Sequence, residues 1–173
     1  MKTFFLGGGC FWCLDSAYQQ LKGVIDVVVG YQGGTAQNAN YEAVCSGTTG
    51  HAEVAKVIFD ETQISEAIIL DAFFTMHDPT QLNRQGHDVG TQYRSVMFFQ
   101  DENQRAAFDA AIERASQIWG PNIVTSVEPA PQFFEAEQYH QNFFEKNPFQ
   151  GYCNAVVLPK VIKVRERFTN FLK

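Results

Sequence analysis

Long apolar runs, basic clusters and a second cysteine pair are all missing from this chain, and each absence removes a class of function. No segment approaches the roughly 20 apolar residues needed to cross a bilayer. Lys and Arg number 13 against 19 Asp and Glu, a formal charge of −6, and they form no run. That balance argues against a nucleic-acid partner. Cys10 and Cys13 are spaced as C-x-x-C, but Cys45 and Cys153 stand alone and no closely spaced histidine pair completes a zinc site. A chain of 173 residues buries roughly 70% of its unfolded surface without disulfide staples. Its four cysteines are therefore expected as working thiols in a reducing compartment, the cytoplasm. Met1-Lys2-Thr3-Phe4-Phe5-Leu6 begins like a secretory leader, but Gly7-Gly8-Gly9 breaks the apolar stretch before leader length. No repeat or low-complexity linker divides the chain, so one domain spanning residues 1–173 is expected.

The patterning alternates strands and helices. Phe4-Phe5-Leu6 predicts a first strand, and Leu14, Ala17, Tyr18 and Leu21 a helix closed by Gly23. Val27-Val28-Val29 predicts a strand running into a glycine-rich loop from Gly30 to Gly34, and Val54, Val57 and Phe59 a further strand. Ser65 is placed to cap a helix, Ser95 to Phe99 reads as a strand, and Asp101 with Gln104 caps a long helix ending at Gly120-Pro121. Val124 to Val127 predicts a last strand, and Val161, Val164, Phe168 and Phe171 a docked tail helix. The order β-α-β-β-α-β-α-β with a hairpin-like central pair implies an α+β fold. It is expected as a two-layer α/β sandwich, a mixed sheet with helices on one face around a ferredoxin-like plait. The stretches 33–50, 77–94 and 129–158 resist assignment and are expected as functional loops.

The chemistry concentrates at Gly9-Cys10-Phe11-Trp12-Cys13, where the first strand turns into a helix. A cysteine at a helix N-terminus meets unpaired N–H groups and the positive end of the dipole, which favour thiolate. Glycines let backbone approach a substrate, and two aromatic rings follow as walls for an apolar group. A dinucleotide loop is excluded, because Trp12 stands where G-x-G-x-x-G requires glycine.

Four ordered blocks carry a resemblance. Gly9-Cys10-Phe11-Trp12 is similar to the active-site signature of the A-type peptide methionine sulfoxide reductases. Gly30-Tyr31-Gln32-Gly33-Gly34, Asn40-Tyr41-Glu42-Ala43-Val44-Cys45 and Thr49-Gly50-His51-Ala52-Glu53 resemble that family's second block. His77-Asp78-Pro79-Thr80-Gln81 with Gln85 through Ser95 resembles the third, and Glu137 through Gln141 with Asn147-Pro148 through Cys153 the fourth. The resemblance implies thiol-dependent reduction of methionine-S-sulfoxide. Cys10 is then the thiolate that attacks sulfur. Glu53, kept protonated by an apolar site, gives its proton to the oxygen, with Tyr41 and Tyr93 as further donors. Phe11 and Trp12 hold the S-methyl group, Asp88 lies near the thiol and the substrate backbone, and His140 and Tyr152 lie at the rim. The sulfenic acid left on Cys10 is resolved by Cys153, on a loop free to swing, ahead of Cys13 as an alternate or relay thiol. Thioredoxin reduces the disulfide. No metal or organic cofactor is implied, the substrates are protein-bound and free methionine sulfoxide, and the chain is expected to act as a monomer.

Three departures from the resembled pattern stand out. Gln150 lengthens the Pro148–Cys153 loop by one residue, Phe143 replaces a tyrosine, and Cys45 has no role beyond a buried or spare thiol. The alternatives are a thioredoxin-like dithiol oxidoreductase, which also uses C-x-x-C at a helix start but needs none of Glu53, Tyr41 and Tyr93, and a zinc or haem-binding module. His51 is expected to brace a strand end.

Overall fold

The computed structural model describes residues 1–173. Alternation sets the first strand, β1 (Lys2–Gly7): Phe4 and Leu6 are fully buried under the helices, while Phe5 turns to the opposite face and meets Phe133 at 5.4 Å between ring centroids. The chain continues through α1 (Phe11–Gln19), β2 (Val24–Gln32), α2 (Tyr41–Cys45), β3 (Ala52–Phe59) and α3 (Glu66–Met76). A short hairpin, β4 (Arg84–Gln85) with β5 (Asp88–Val89), precedes β6 (Val96–Phe99), α4 (Glu102–Trp119), β7 (Ser126–Pro129) and β8 (Phe133–Glu135). Two helices, α5 (Phe143–Lys146) and α6 (Leu158–Arg167), complete the chain.

The main sheet has the order β7-β6-β1-β3-β2-β8, with only the β6–β7 pair parallel. Its inner strands β6-β1-β3-β2 form the expected antiparallel plait. The principal core fills one face, where Phe4, Val57 and Phe59 meet Leu14 and Tyr18 of α1, Phe73 of α3, Phe108 of α4 and Val164 of α6. A smaller cluster, Val54, Val96 and Phe98, lies on the other face beneath Phe133 and Ala130. The mixed sheet with helices against one face is thus as expected. No helix is long and apolar enough to cross a membrane.

Both caps legible in the sequence form. Ser65 Oγ accepts the Ile68 amide at 3.2 Å, and Asp101 accepts the Gln104 amide at 2.8 Å. Other boundaries differ. β2 runs on through Tyr31 and Gln32, which pair with Glu53 and Ala52, so the glycine-rich loop begins later than expected. α1 ends at Gln19, and Gly23 shapes the turn into β2. The last expected strand lies two residues further on, at Ser126–Pro129, where it pairs with β6. The 129–158 stretch contains β8 and α5 as well as loop.

The tail helix is not an isolated α-helix. Helical backbone runs through Cys153–Val157 as a wide π turn before α6, with Leu158 N–H donating to Cys153 C=O. Pro159 explains the widening: it has no N–H for the Ala155 carbonyl, and its ring crowds that carbonyl. Cys153 is consequently buried in helical structure, not carried on the free loop expected from sequence.

Two polar side chains hold the segment between β8 and α5 in place. Gln141 acts as a substitute strand partner: it accepts the Val29 amide at 2.9 Å and donates to the Val29 carbonyl at 2.9 Å and the Ala136 carbonyl at 3.2 Å. Buried Asp15 of α1 accepts the Asn142 amide at 2.9 Å, and burial pushes its carboxyl up to about 6. Gln141→Leu strands the Val29 amide, while the Val29 carbonyl keeps the Ala136 amide at 3.0 Å, and is expected to cost about 2 kcal/mol, a fall in Tm of roughly 4–8 °C. Thermal unfolding followed by circular dichroism checks it; an unchanged Tm would show that water replaces the amide.

Candidate active site

Gly8 and Gly9 lead from β1, which ends at Gly7, toward α1, and both have steric reasons to be there. Gly9 has φ +91°, a region L side chains avoid, and a Cβ on Gly8 would sit 3.0 Å from the His77 and Phe73 rings. His77 is buried, its ring bonded to the Phe73 carbonyl at 2.7 Å and to Ser95 Oγ at 2.8 Å. With burial lowering its pKa to about 4, it is a neutral brace behind the turn. The Gln85 side chain bonds both backbone groups of Asp78 and packs beneath Gly9. This scaffold sets Cys10 at the N-cap of α1.

Beside it lies a pocket of about 260 Å³. Cys10, Phe11 and Trp12 form one wall, with Glu53 of β3, Tyr41 at the start of α2 and Tyr93 from the turn before β6. Asp88 of β5, Gln150 and Tyr152 close it. The Tyr152 hydroxyl donates to the Asp88 carboxylate, joining the hairpin to the C-terminal segment. Asp15 and Glu145 line another cavity of about 270 Å³, which has no cysteine or histidine in its lining.

Glu53 is 2% exposed and its Oε1 accepts the Phe11 amide at 3.1 Å. Burial pushes its carboxyl up to about 8, against the lowering effect of that amide. The acid is therefore mostly protonated at neutral pH. Burial also pushes the Tyr41 and Tyr93 hydroxyls well up, so both remain donors.

The thiols differ from expectation. Burial, then the Cys13 sulfur and the Glu53 charge, raises the Cys10 pKa, while the Trp12 amide pulls the other way. A helix terminus is worth about 0.3–1 kcal/mol at an exposed site, too little against removal from water, so burial favours the thiol form in the resting site. Cys10 lies beside Cys13 in one buried cluster, and that neighbour, followed by the charge of Lys160, lowers the Cys13 pKa against the raising effect of burial. Cys10, Cys13, Cys153 and Val157 share one small buried cluster. Cys13 and Cys153 do not line the pocket but sit behind it. Cys45 is exposed, not buried.

His140 is buried behind Trp12 rather than at the rim. Phe143 stacks flat on the Trp12 indole, 3.7 Å between centroids. His51, expected to brace a strand end, accepts the Gly34 amide and bonds the Thr35 carbonyl, bracing the loop beside β3. Arg94 donates to the carbonyls of Thr91 and Gly50, tying the Tyr93 turn to that loop. Gln150 lines the pocket and also caps the Cys153 amide at 2.9 Å; its place in the lengthened loop was the only sequence signal. No group of three or more His, Cys, Asp or Glu side chains is arranged to hold a metal ion.

Comparison with known proteins agrees with this geometry. A sequence model of the family described as peptide methionine sulfoxide reductase matches residues 2–171. The peptide methionine sulfoxide reductase MsrA of Clavibacter michiganensis is 57% identical over 173 residues, covering 100% of this chain and 99% of that protein. Reduced Mxr1 from Saccharomyces cerevisiae superposes with a TM-score of 0.81 at 36% identity, over 87% of each chain. Mxr1 in complex with Trx2 superposes with a TM-score of 0.57 at 25% identity, over 82% of this chain and 84% of that one.

The raised carboxyl has a consequence for stability. In the unfolded chain Glu53 ionises near its ordinary 4.5; in the fold it holds its proton to about 8. The folded state thus binds more protons in that window, and stability is lost as pH rises through it. Glu53→Gln, neutral throughout, is expected to gain on wild type from pH 4.5 upward, by on the order of 5 kcal/mol at pH 8. Urea unfolding of both proteins across pH 4.5–8.5 checks this, and parallel stability curves would show that Glu53 ionises freely in the fold.

Proposed function

The chain belongs to the peptide methionine sulfoxide reductase family, and from that premise we propose that its pocket reduces the S epimer of methionine sulfoxide through Cys10. The observation that carries this reading is the buried, proton-holding Glu53 carboxyl beside the Cys10 sulfur in an aromatic pocket. A sulfoxide oxygen cannot leave as an oxide; it must be protonated as the sulfur is attacked.

The protons balance within the site. Cys10 sulfur attacks the sulfoxide sulfur and takes its oxygen, Glu53 gives the oxygen a proton, and the thiol proton of Cys10 restores Glu53. The products are methionine and Cys10 sulfenic acid. A resting thiol is thus no obstacle, since its proton ends on the transferred oxygen. Tyr41 and Tyr93 donate to the charge growing on that oxygen. Phe11 and Trp12 hold the methyl group, and Asp88, fixed by Tyr152, receives the substrate backbone.

For the next step the place of Cys13 beside the Cys10 sulfur, in the first turn of α1, favours Cys13 over Cys153, the reverse of the order expected from sequence. Cys13 attacks the sulfenic sulfur, expelling water and forming the Cys10–Cys13 disulfide. Cys153 thiolate then attacks Cys13, releasing Cys10 and forming a Cys13–Cys153 bridge. A thioredoxin reduces that bridge by thiol exchange, a partner supported by the complex of the yeast relative with Trx2. Electrons arrive as thiol pairs, so the reaction calls for no metal or organic cofactor and no second copy of the chain. A reducing compartment such as the cytoplasm suits it, and both protein-bound and free methionine sulfoxide are substrates of this reading.

Turnover of separated epimers with dithiothreitol is expected for the S form alone. Cys10→Ser abolishes it, and Glu53→Gln lowers kcat/KM by roughly 10²–10⁴-fold. Equal activity on both epimers, or none on either alongside insulin reduction, would sink the reading in favour of a general dithiol oxidoreductase. Quenching Cys153→Ser after one turnover and mapping its peptides should find Cys10 joined to Cys13. A wild-type enzyme whose earliest bridge is Cys10–Cys153 would restore the order expected from sequence.

A further inference from the structure

The Trp12 indole has one polar hydrogen, and it donates to Nδ1 of His140 at 3.0 Å. A ring nitrogen that accepts carries no proton, so the neutral imidazole holds its hydrogen on Nε2. That Nε2 is buried and without a partner. An unpaired buried donor is costly, and here the cost falls on the residue whose other nitrogen holds a wall of the pocket. His140 is itself fully buried, with the rings of Tyr139, Tyr41 and Phe11 at centroid distances of 4.1, 4.5 and 5.1 Å.

Two other rings pack on the indole: Phe143 stacks on it at an interplanar angle of 4°, and Tyr152 meets it edge-on at 5.7 Å between centroids. A flat stack holds a ring against tilting but resists sliding and in-plane rotation only weakly. Phe143, moreover, has no hydroxyl with which to bond a neighbour. Neither ring contact is directional at the indole N–H, so the hydrogen bond to His140 is the one directional restraint on the ring.

We propose that His140 is a positioning residue which, through its Nδ1 bond to Trp12, sets the orientation of the indole and thereby the sulfoxide epimer that the pocket accepts. This rests on the reading of Phe11 and Trp12 as the methyl-binding walls. His140 does not line the pocket and touches no reacting atom. Its effect passes entirely through the indole: with the ring fixed, the methyl group has one place to sit, and the oxygen of one epimer points at Glu53. With the acceptor gone, the indole slides over Phe143, and methyl and oxygen can exchange places.

The test compares His140→Asn, whose side-chain oxygen can stand near the Nδ1 position, with His140→Leu, which has no acceptor. The leucine variant is expected to raise KM for free methionine-S-sulfoxide about tenfold, the scale of one buried hydrogen bond, with a smaller change in kcat. Its S-over-R preference falls by a similar factor, whereas the asparagine variant stays within about threefold of wild type. On nitrogen-labelled protein, the Trp12 indole N–H resonance, identified by its loss in Trp12→Phe, should shift and exchange faster in His140→Leu but not in His140→Asn. Retained epimer preference in His140→Leu despite a freed indole N–H would overturn the proposal. So would an asparagine variant as impaired as the leucine one, which would assign His140 a packing role. Should the leucine variant fail to fold, His140→Gln takes its place, since its amide falls near Nε2 and leaves the indole unpaired; the same outcomes then decide. Wild-type protein that reduces neither epimer would sink the functional reading instead, leaving the indole resonances to report on the hydrogen bond alone.

Discussion

The Glu53 carboxyl lies on an inner strand of the sheet, cross-strand from Tyr31 and beneath the first turn of α1. Keeping a carboxyl there requires that it stay uncharged, and most of the site follows from that requirement. The aromatic rings around it keep water out, and the single Phe11 amide is too weak a donor to restore the charge. The same dry surroundings hold Cys10 as a thiol and keep the tyrosine hydroxyls protonated. One environment therefore keeps Glu53, Cys10 and the two tyrosines supplied with the proton that sulfoxide reduction consumes.

Loading a site in this way has a structural cost that the rest of the fold offsets. The glycine turn is held from behind by neutral His77 and by Gln85, whose amide replaces missing backbone partners at Asp78. Gln141 does the same for Val29, and Asp15 for Asn142. Loops that would otherwise be poorly fixed are thus attached to the sheet and to α1 by side-chain amides and carboxyls. This is why segments with little regular structure can hold Tyr41, Tyr93, Asp88 and Tyr152 around a pocket of about 260 Å³.

What the sequence made legible was whatever depends on near neighbours in the chain. The caps at Ser65 and Asp101, the alternation of Phe4, Phe5 and Leu6, and the strand-to-helix turn at Cys10 are all local chemistry. The order of elements then constrained the plait, because an antiparallel central pair with flanking helices has few ways to bury its apolar face. Features that depend on distant partners stayed hidden. β8 has only three residues and exists because β2 offers an edge, and Gln141 looks like any surface glutamine until Val29 lies beside it. The surroundings of Cys10 were hidden in the same way: the helix terminus is visible in the sequence, but the burial that opposes its effect on the thiol is not.

The π turn over Cys153–Val157 also changes the angular bookkeeping of the C-terminal helix. In an unbroken α-helix each residue advances about 100°, so Cys153 and Val164, eleven positions apart, would lie along nearly one line. Five residues wound more loosely delay that advance by roughly a quarter turn. The tail can then present two stripes to two different neighbours, with Val164 in the main core and Cys153 against the thiol pair. Pro159 thereby separates where the tail is anchored from where its sulfur points. Length changes upstream, such as the extra residue at Gln150, can be absorbed before the anchoring stripe begins.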